Sequence, residues 1–313
     1  MALALIAFIH GRSKLREFAF DVPNPLGPGE GRRLLLGALA VVAGGALLVW
    51  VCNLILGELT SAIAYALFLF ALGTSISYFV TMFRSPKVTA AERVHVLAFI
   101  PLFVGQVLFT MIFEQAAGKM ATFAKDNTAP SFMSPEAYQS INPTAVLLLA
   151  PLLGLLFRRR EGRFPTTPQK FAIAVGIIGF SALMMGYGFQ SWPGGARLAP
   201  FWYLGLVFVV QTVAELSMNP VGLSVTTKLA PKQFASQMMT LWLLAPACGQ
   251  GLASVVIERT KTLGDVTFYY GLGIVTIVVA VVLFVIAPWT QSKMSDTDVS
   301  QERLMAATSD RPE

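Results

Sequence analysis

Eight stretches of this chain are too long and too apolar to be ordinary core helices. They cover about residues 34–56, 62–83, 94–123, 136–157, 171–190, 201–228, 233–257 and 267–289. A helix rises about 1.5 Å per residue, so roughly 20 apolar residues cross the ~30 Å hydrocarbon layer of a bilayer. Inside that layer the backbone finds no water, and only helices or closed barrels satisfy its hydrogen bonds. The fold class expected is therefore an all-α polytopic membrane protein. Charged residues make up 13% of the chain, about half the usual share of a soluble domain. Residues 290–313 read as a polar, disordered tail.

The basic residues add a direction. Alternate loops (10–33, 84–93, 158–170, 226–233 and 290–313) hold 18 of the 23 Lys and Arg. The positive-inside rule places those loops, with the N-terminal loop and the C-terminal tail, in the cytoplasm. The net charge of +6 is spread over loops rather than gathered on one patch, so no nucleic-acid partner is expected.

Polar residues inside the apolar runs mark where chemistry belongs. Glu215 sits deep in the run 201–231, FWYLGLVFVVQTVAELSMNPVGLSVTTKLAP. An acid at that depth costs about 2.5–3.5 kcal/mol even on insertion scales and normally faces a bundle interior or a watery cavity. Its alternative is a protonated group that only joins helices. Pro220 follows five residues later and predicts a kink. Glu114, in LFTMIFEQAAGKMATFA, lies about two-thirds across if a helix runs over 94–123, and is interfacial if that helix ends near Ala117. Asn142 lies inside a helix opened by Ser134-Pro135-Glu136, where its amide must find partners in a packing or a ligand role. Trp242 either walls a pocket with Met238 or packs as an ordinary aromatic. Ala247 with Gly251, or Gly249 with Ala253, offers small-xxx-small packing.

No catalytic constellation competes. There is no GxSxG, HExxH or phosphate-binding glycine loop, and two histidines with few acids leave acid–base chemistry without parts. No enzyme activity and no metal are expected. Cys52 and Cys248 belong to no CxxC pair, so no disulfide is expected.

FEQAAG, YQSINP, AELSMNPVGLSVTTKLAP and MMTLWLLAPACGQ, in that order, resemble the C-terminal half of the proton-dependent oligopeptide transporters of the major facilitator superfamily. The resemblance covers residues 94–289. It implies a six-helix transporter bundle there, with residues 34–83 as an accessory transmembrane hairpin, 10–33 as a cytoplasmic loop and 1–9 as the end of a truncated helix. It further implies import of di- and tripeptides, coupled to protons and needing no other cofactor, across a bacterial plasma (inner) membrane. Glu215 matches the acid that holds the peptide's amino terminus, Asn142 the asparagine that orients its backbone, and Trp242 a pocket-wall tryptophan. Glu114 matches the acid of proton coupling and gating. AGKM at 117–120 stands where many relatives carry a serine-rich AGSS-like stretch. The family's ExxER signature and fourth-helix lysine have no counterpart here. The expectation is a C-terminal portion of a peptide symporter that does not transport alone. Its rival is a non-transporting membrane scaffold, or a split half that needs an N-terminal partner chain.

Overall fold

The backbone of each apolar run closes its hydrogen bonds within the run, as a bilayer requires. The computed structural model describes residues 8, 9, 11, 30–130, 133–159, 164–260 and 262–309. Eight helical spans among them are long and apolar enough to cross a membrane. They are α1 (Glu30–Leu56), α2 (Leu59–Arg84), α3 (Ala90–Phe113) continued by α4 (Lys119–Asp126), α5 (Ile141–Arg159), α6 (Thr167–Ser191), α7 (Phe201–Leu229), α8 (Ala235–Arg259) and α9 (Gly264–Ser309). Most of residues 1–9 and 10–33, and the RRREGR signal after Arg159, lie outside the described residues.

The chain divides into two units, Met1–Leu48 and Val49–Glu313. In the first, residues 30–48 of α1 are helical and largely exposed. The second holds the rest of α1 and every later helix.

Local sequence explains the helix ends. Gly57 stops α1 in the left-handed region (φ 75°), which a residue without a Cβ enters freely. Thr89 and Glu92 form a capping box at the start of α3, satisfying two orphan N–H groups reciprocally. The other Glu92 oxygen accepts from the Lys232 backbone N–H at 3.1 Å. That bond ties the start of α3 to the α7–α8 connection. Ser134 accepts from the Ala137 N–H, and Pro135 opens a 3-10 turn, Pro135–Ser140, ahead of α5.

Two expectations need correction. The run 94–123 is not one helix: α3 ends at Phe113, a 3-10 turn occupies Glu114–Ala117, and α4 restarts after Gly118. A residue with φ −107° and ψ −110° lies outside the helical region, so Gly118 is where the axis is broken. The tail beyond Ser292 is helical to Ser309; no Gly or Pro follows Pro288 to stop the helix before Ser309. α7 carries Pro220 within its helical run, and that residue has no N–H to give.

The core is built around α6, more than half of whose 25 residues are buried. Bare Cα atoms let its neighbours in. A Cβ on Gly179 would meet Ile277 and Thr276 of α9 at 3.0–3.2 Å, and one on Gly273 of α9 would meet Leu183 at 2.6 Å. A Cβ on Gly105 of α3 would fall 2.8 Å from Phe171 and 2.9 Å from Leu283. In lipid, such contact replaces the hydrophobic drive that water supplies elsewhere.

α8 uses both small residues that the sequence singles out, for different partners. Gly249 faces α3, where a Cβ would come 2.6 Å from the Val107 carbonyl oxygen. Gly251 faces α2, where a Cβ would come 2.7 Å from the Phe68 Cα. Two residues are about 200° of helix, so α8 is gripped on opposite sides. Beside Gly251, the buried, free Cys248 places its Sγ 3.7 Å from Ser75 Oγ.

A candidate binding site between two spans

α5 and α7 bring two of the expected residues into contact. Tyr138, in the 3-10 turn ahead of α5, donates from its hydroxyl to the Phe201 carbonyl at 3.1 Å, pinning the start of one span to the start of the other. One turn further in, the Asn142 Nδ2 donates to Glu215 Oε2 at 3.0 Å and to Thr212 Oγ1 at 3.1 Å. Thr212 is fully buried and returns its own hydroxyl proton to the Phe208 carbonyl at 2.8 Å. Glu215 and Asn142 are half-buried.

Glu215 has a neutral amide for a partner, and no ion pair reaches it among the described residues. A carboxylate offers about four lone-pair sites, and one of them is taken by Asn142. The site can therefore still accept several hydrogen bonds and lacks a compensating cation.

Behind Glu215, towards α6, lies a polar contact that reading the sequence missed. Gln211 is almost wholly buried; its Nε2 donates to Ser181 Oγ at 3.3 Å and approaches Met120 Sδ at 3.5 Å. Its Oε1 has no partner. The signal was there, since Gln211 and Thr212 stand four and three residues before Glu215, which is contact spacing on a helix.

The other two expected residues lie elsewhere. Glu114 begins the 3-10 turn at the break after α3; its backbone N–H closes the last turn of α3 on the Thr110 carbonyl, and its exposed side chain makes no hydrogen bond among the described residues. Its neighbour Gln115 points inward, buried, with Nε2 on the Met111 carbonyl and Oε1 unpartnered. Trp242 is buried in α8 against Gly222 of α7 and meets Phe171 edge-on at 6.4 Å. Gly222 is two turns beyond Glu215 on the same face of α7. Trp242 thus closes one end of that face as a packed ring, and among the described residues no hydrogen bond joins it to Asn142 or Glu215. Lys119, the departure in AGKM, pairs with Asp265 in the first turn of α9 and lies 4.9 Å from the Phe268 ring centre. It fastens α4, beyond the break, to α9.

Comparison with known proteins points one way. The model of the POT family matches residues 1–269. A di-/tripeptide transporter of Lactococcus lactis subsp. cremoris is 32% identical over 91% of this chain and 59% of its own length. An uncharacterized transporter of Bacillus subtilis (strain 168), YclF, is 32% identical over 92% and 58% respectively. Among solved structures, a peptide transporter POT in complex with sulfate superposes with a TM-score of 0.78 at 33% identity, covering 93% of this chain and 60% of that one. A POT family transporter in complex with 5-aminolevulinic acid gives 0.80 at 29% identity, covering 92% and 61%. The chain spans about three fifths of the length of the curated relatives it matches.

Proposed function

The chain belongs to the POT family, and from that premise we propose that it forms the C-terminal portion of a proton-coupled di-/tripeptide symporter. One observation carries the reading: the half-buried Glu215 carboxylate is held by Asn142 and lacks a cationic partner. An intramembrane acid in that state is suited to receive a mobile cation. The ammonium of a peptide brings three donors and one positive charge, and charge-assisted bonds of this kind are roughly twice as strong as neutral ones. Glu215 anchors the amino terminus, and Asn142 orients the first peptide group. Trp242 bounds the pocket through its packing on Gly222. Glu114, exposed at the break between α3 and α4, serves proton coupling and gating, because a titrating group at a broken helix sits where one segment can move against the other. The protein works in the inner membrane, with the Lys/Arg-rich loops, the N-terminal loop at 10–33 among them, and the C-terminal tail in the cytoplasm.

No catalytic step enters this reading; the chemistry is binding and proton exchange. Alternating access needs a second bundle for this one to rock against, so gradient-driven uptake requires the remaining two fifths that the relatives carry. The test is uptake of a labelled dipeptide into proteoliposomes under an inward proton gradient. The protein is supplied alone and co-expressed with the unmatched N-terminal part of the Lactococcus lactis relative. Uptake by the pair that collapses with the gradient is expected. Gradient-independent uptake by the pair, or none, overturns the reading.

A further inference from the structure

We infer that Thr212 is a positioning residue that fixes which end of the Asn142 amide a bound peptide meets; the inference rests on the peptide-binding reading above. A side-chain amide has a donor end and an acceptor end, and either can turn toward a neighbour. Here the neighbours decide. Thr212 gives its proton to the Phe208 carbonyl at 2.8 Å, so toward Asn142 its Oγ1 has only lone pairs. Glu215 as a carboxylate has only lone pairs as well. Two acceptors, at 3.1 and 3.0 Å, therefore face one group, and only the NH2 end, with its two hydrogens, satisfies both. The reversed amide would set its oxygen against both acceptors. Oδ1 is thereby turned to the free side, where it has no partner among the described residues.

The consequence is chemical specificity. The site presents a carboxylate and, beside it, a carbonyl oxygen whose orientation is locked. Together they suit a ligand with an ammonium and a nearby N–H donor, which is the layout of a peptide's first residue and its following amide. A free amino acid has the ammonium without that second donor. Thr212 touches no ligand in this arrangement and acts through Asn142. Because it is fully buried, its hydroxyl is not available for any exchange with solvent that would blur the preference.

The test uses protein labelled with 15N in its asparagines, in detergent micelles, with Thr212→Val, Thr212→Ser and Asn142→Ala variants. Valine keeps the shape and loses the oxygen, whereas serine keeps the oxygen. The Asn142 side-chain NH2 signals, identified by their loss in Asn142→Ala, are expected to shift in Thr212→Val and to stay in Thr212→Ser. Dipeptide affinity is then read in the co-expressed pair. Thr212→Val should weaken it about threefold to tenfold, the scale of one hydrogen bond. Thr212→Ser should restore it, and Thr212→Val should add nothing in the Asn142→Ala background. Unmoved NH2 signals in Thr212→Val overturn the inference, and so does an equal loss of affinity with and without Asn142. If the parent pair binds no dipeptide, the functional reading falls, and the NH2 signals alone decide the role of Thr212.

Discussion

The ring of Trp242 lies so close to Gly222 that a Cβ there would fall 1.8 Å from Cη2 and 2.3 Å from Cζ2. No rotamer adjustment of a few tenths of an ångström absorbs that overlap. Gly222→Ala is expected to destabilise the protein by about 1–3 kcal/mol, the cost of overpacking a filled core. The shorter ring of Trp242→Phe should recover part of the loss in the double variant. Thermal unfolding in detergent of the two single variants and the double variant checks this; an additive double variant would refute the contact as the cause.

Glu215→Gln keeps the length and an acceptor oxygen and loses the charge. Dipeptide affinity in the co-expressed pair should fall at least about tenfold, equivalent to roughly 1.4 kcal/mol, and less for Glu215→Asp. An N-acetylated dipeptide, which has no ammonium, should bind parent and variant alike. If the Gln variant binds the free dipeptide as tightly as the parent does, Glu215 is not the ammonium anchor.

Two glycines should respond to a methyl group in opposite ways. Gly251→Ala drives a Cβ into the backbone of Phe68 and should lower the unfolding temperature. Gly154→Ala, where nothing lies within 4 Å, should raise stability by about 0.5–1 kcal/mol, because alanine loses less entropy in a helix. Circular-dichroism melts in one detergent compare them directly.

The Lys119–Asp265 pair is partly exposed on both sides (24% and 39%), so its contribution is modest and sensitive to salt. A double-mutant cycle with Lys119→Ser and Asp265→Asn should give a coupling of up to about 1 kcal/mol at low ionic strength. It should shrink as salt rises through the range where the Debye length falls below about 10 Å. No coupling, with the Lys119→Ser loss persisting in the Asp265→Asn background, would show that the Lys119 ammonium over the Phe268 ring, rather than the ion pair, carries the link.

Orientation is checked by single cysteines in a background without Cys52 and Cys248. Ala196→Cys should be labelled from outside by a membrane-impermeant maleimide in intact cells, and Arg160→Cys only after lysis. The reverse pattern would invert the orientation.

The spans were legible because apolar length alone sets them, and the structure begins each within a few residues of its expected start. The break at Glu114 was legible only as one of two alternatives, since EQAAGKM is rich in good helix formers and only Gly118 hints at a stop. The helix beyond Ser292 was misread because polarity was taken for disorder, although the segment contains no breaker. Glu215 announced itself as an acid among apolar residues. Its meeting with Asn142, 73 residues earlier, was beyond any local pattern and came only through family resemblance. Thr212 was within reach of spacing arguments, since i−3 neighbours share a helix face. Which of Gly249 and Gly251 faces which helix was not, because small residues mark close approach without naming the partner.

The two-sided grip on α8 changes what α2 is for. With Phe68 withdrawn, the bare backbone at Gly251 and the Cys248 side chain would face lipid tails, and α8 would keep only α3 and the Trp242 contacts with α6 and α7. The helix that carries Trp242 would then lose its support on the Gly251 side, and a ring wedged onto Gly222 from a less supported helix can swing. In the proposed peptide site, α2 is thus a splint for the aromatic end: cutting it away should loosen dipeptide binding at a distance, through the backbone of α8 and not through any residue assigned to the peptide.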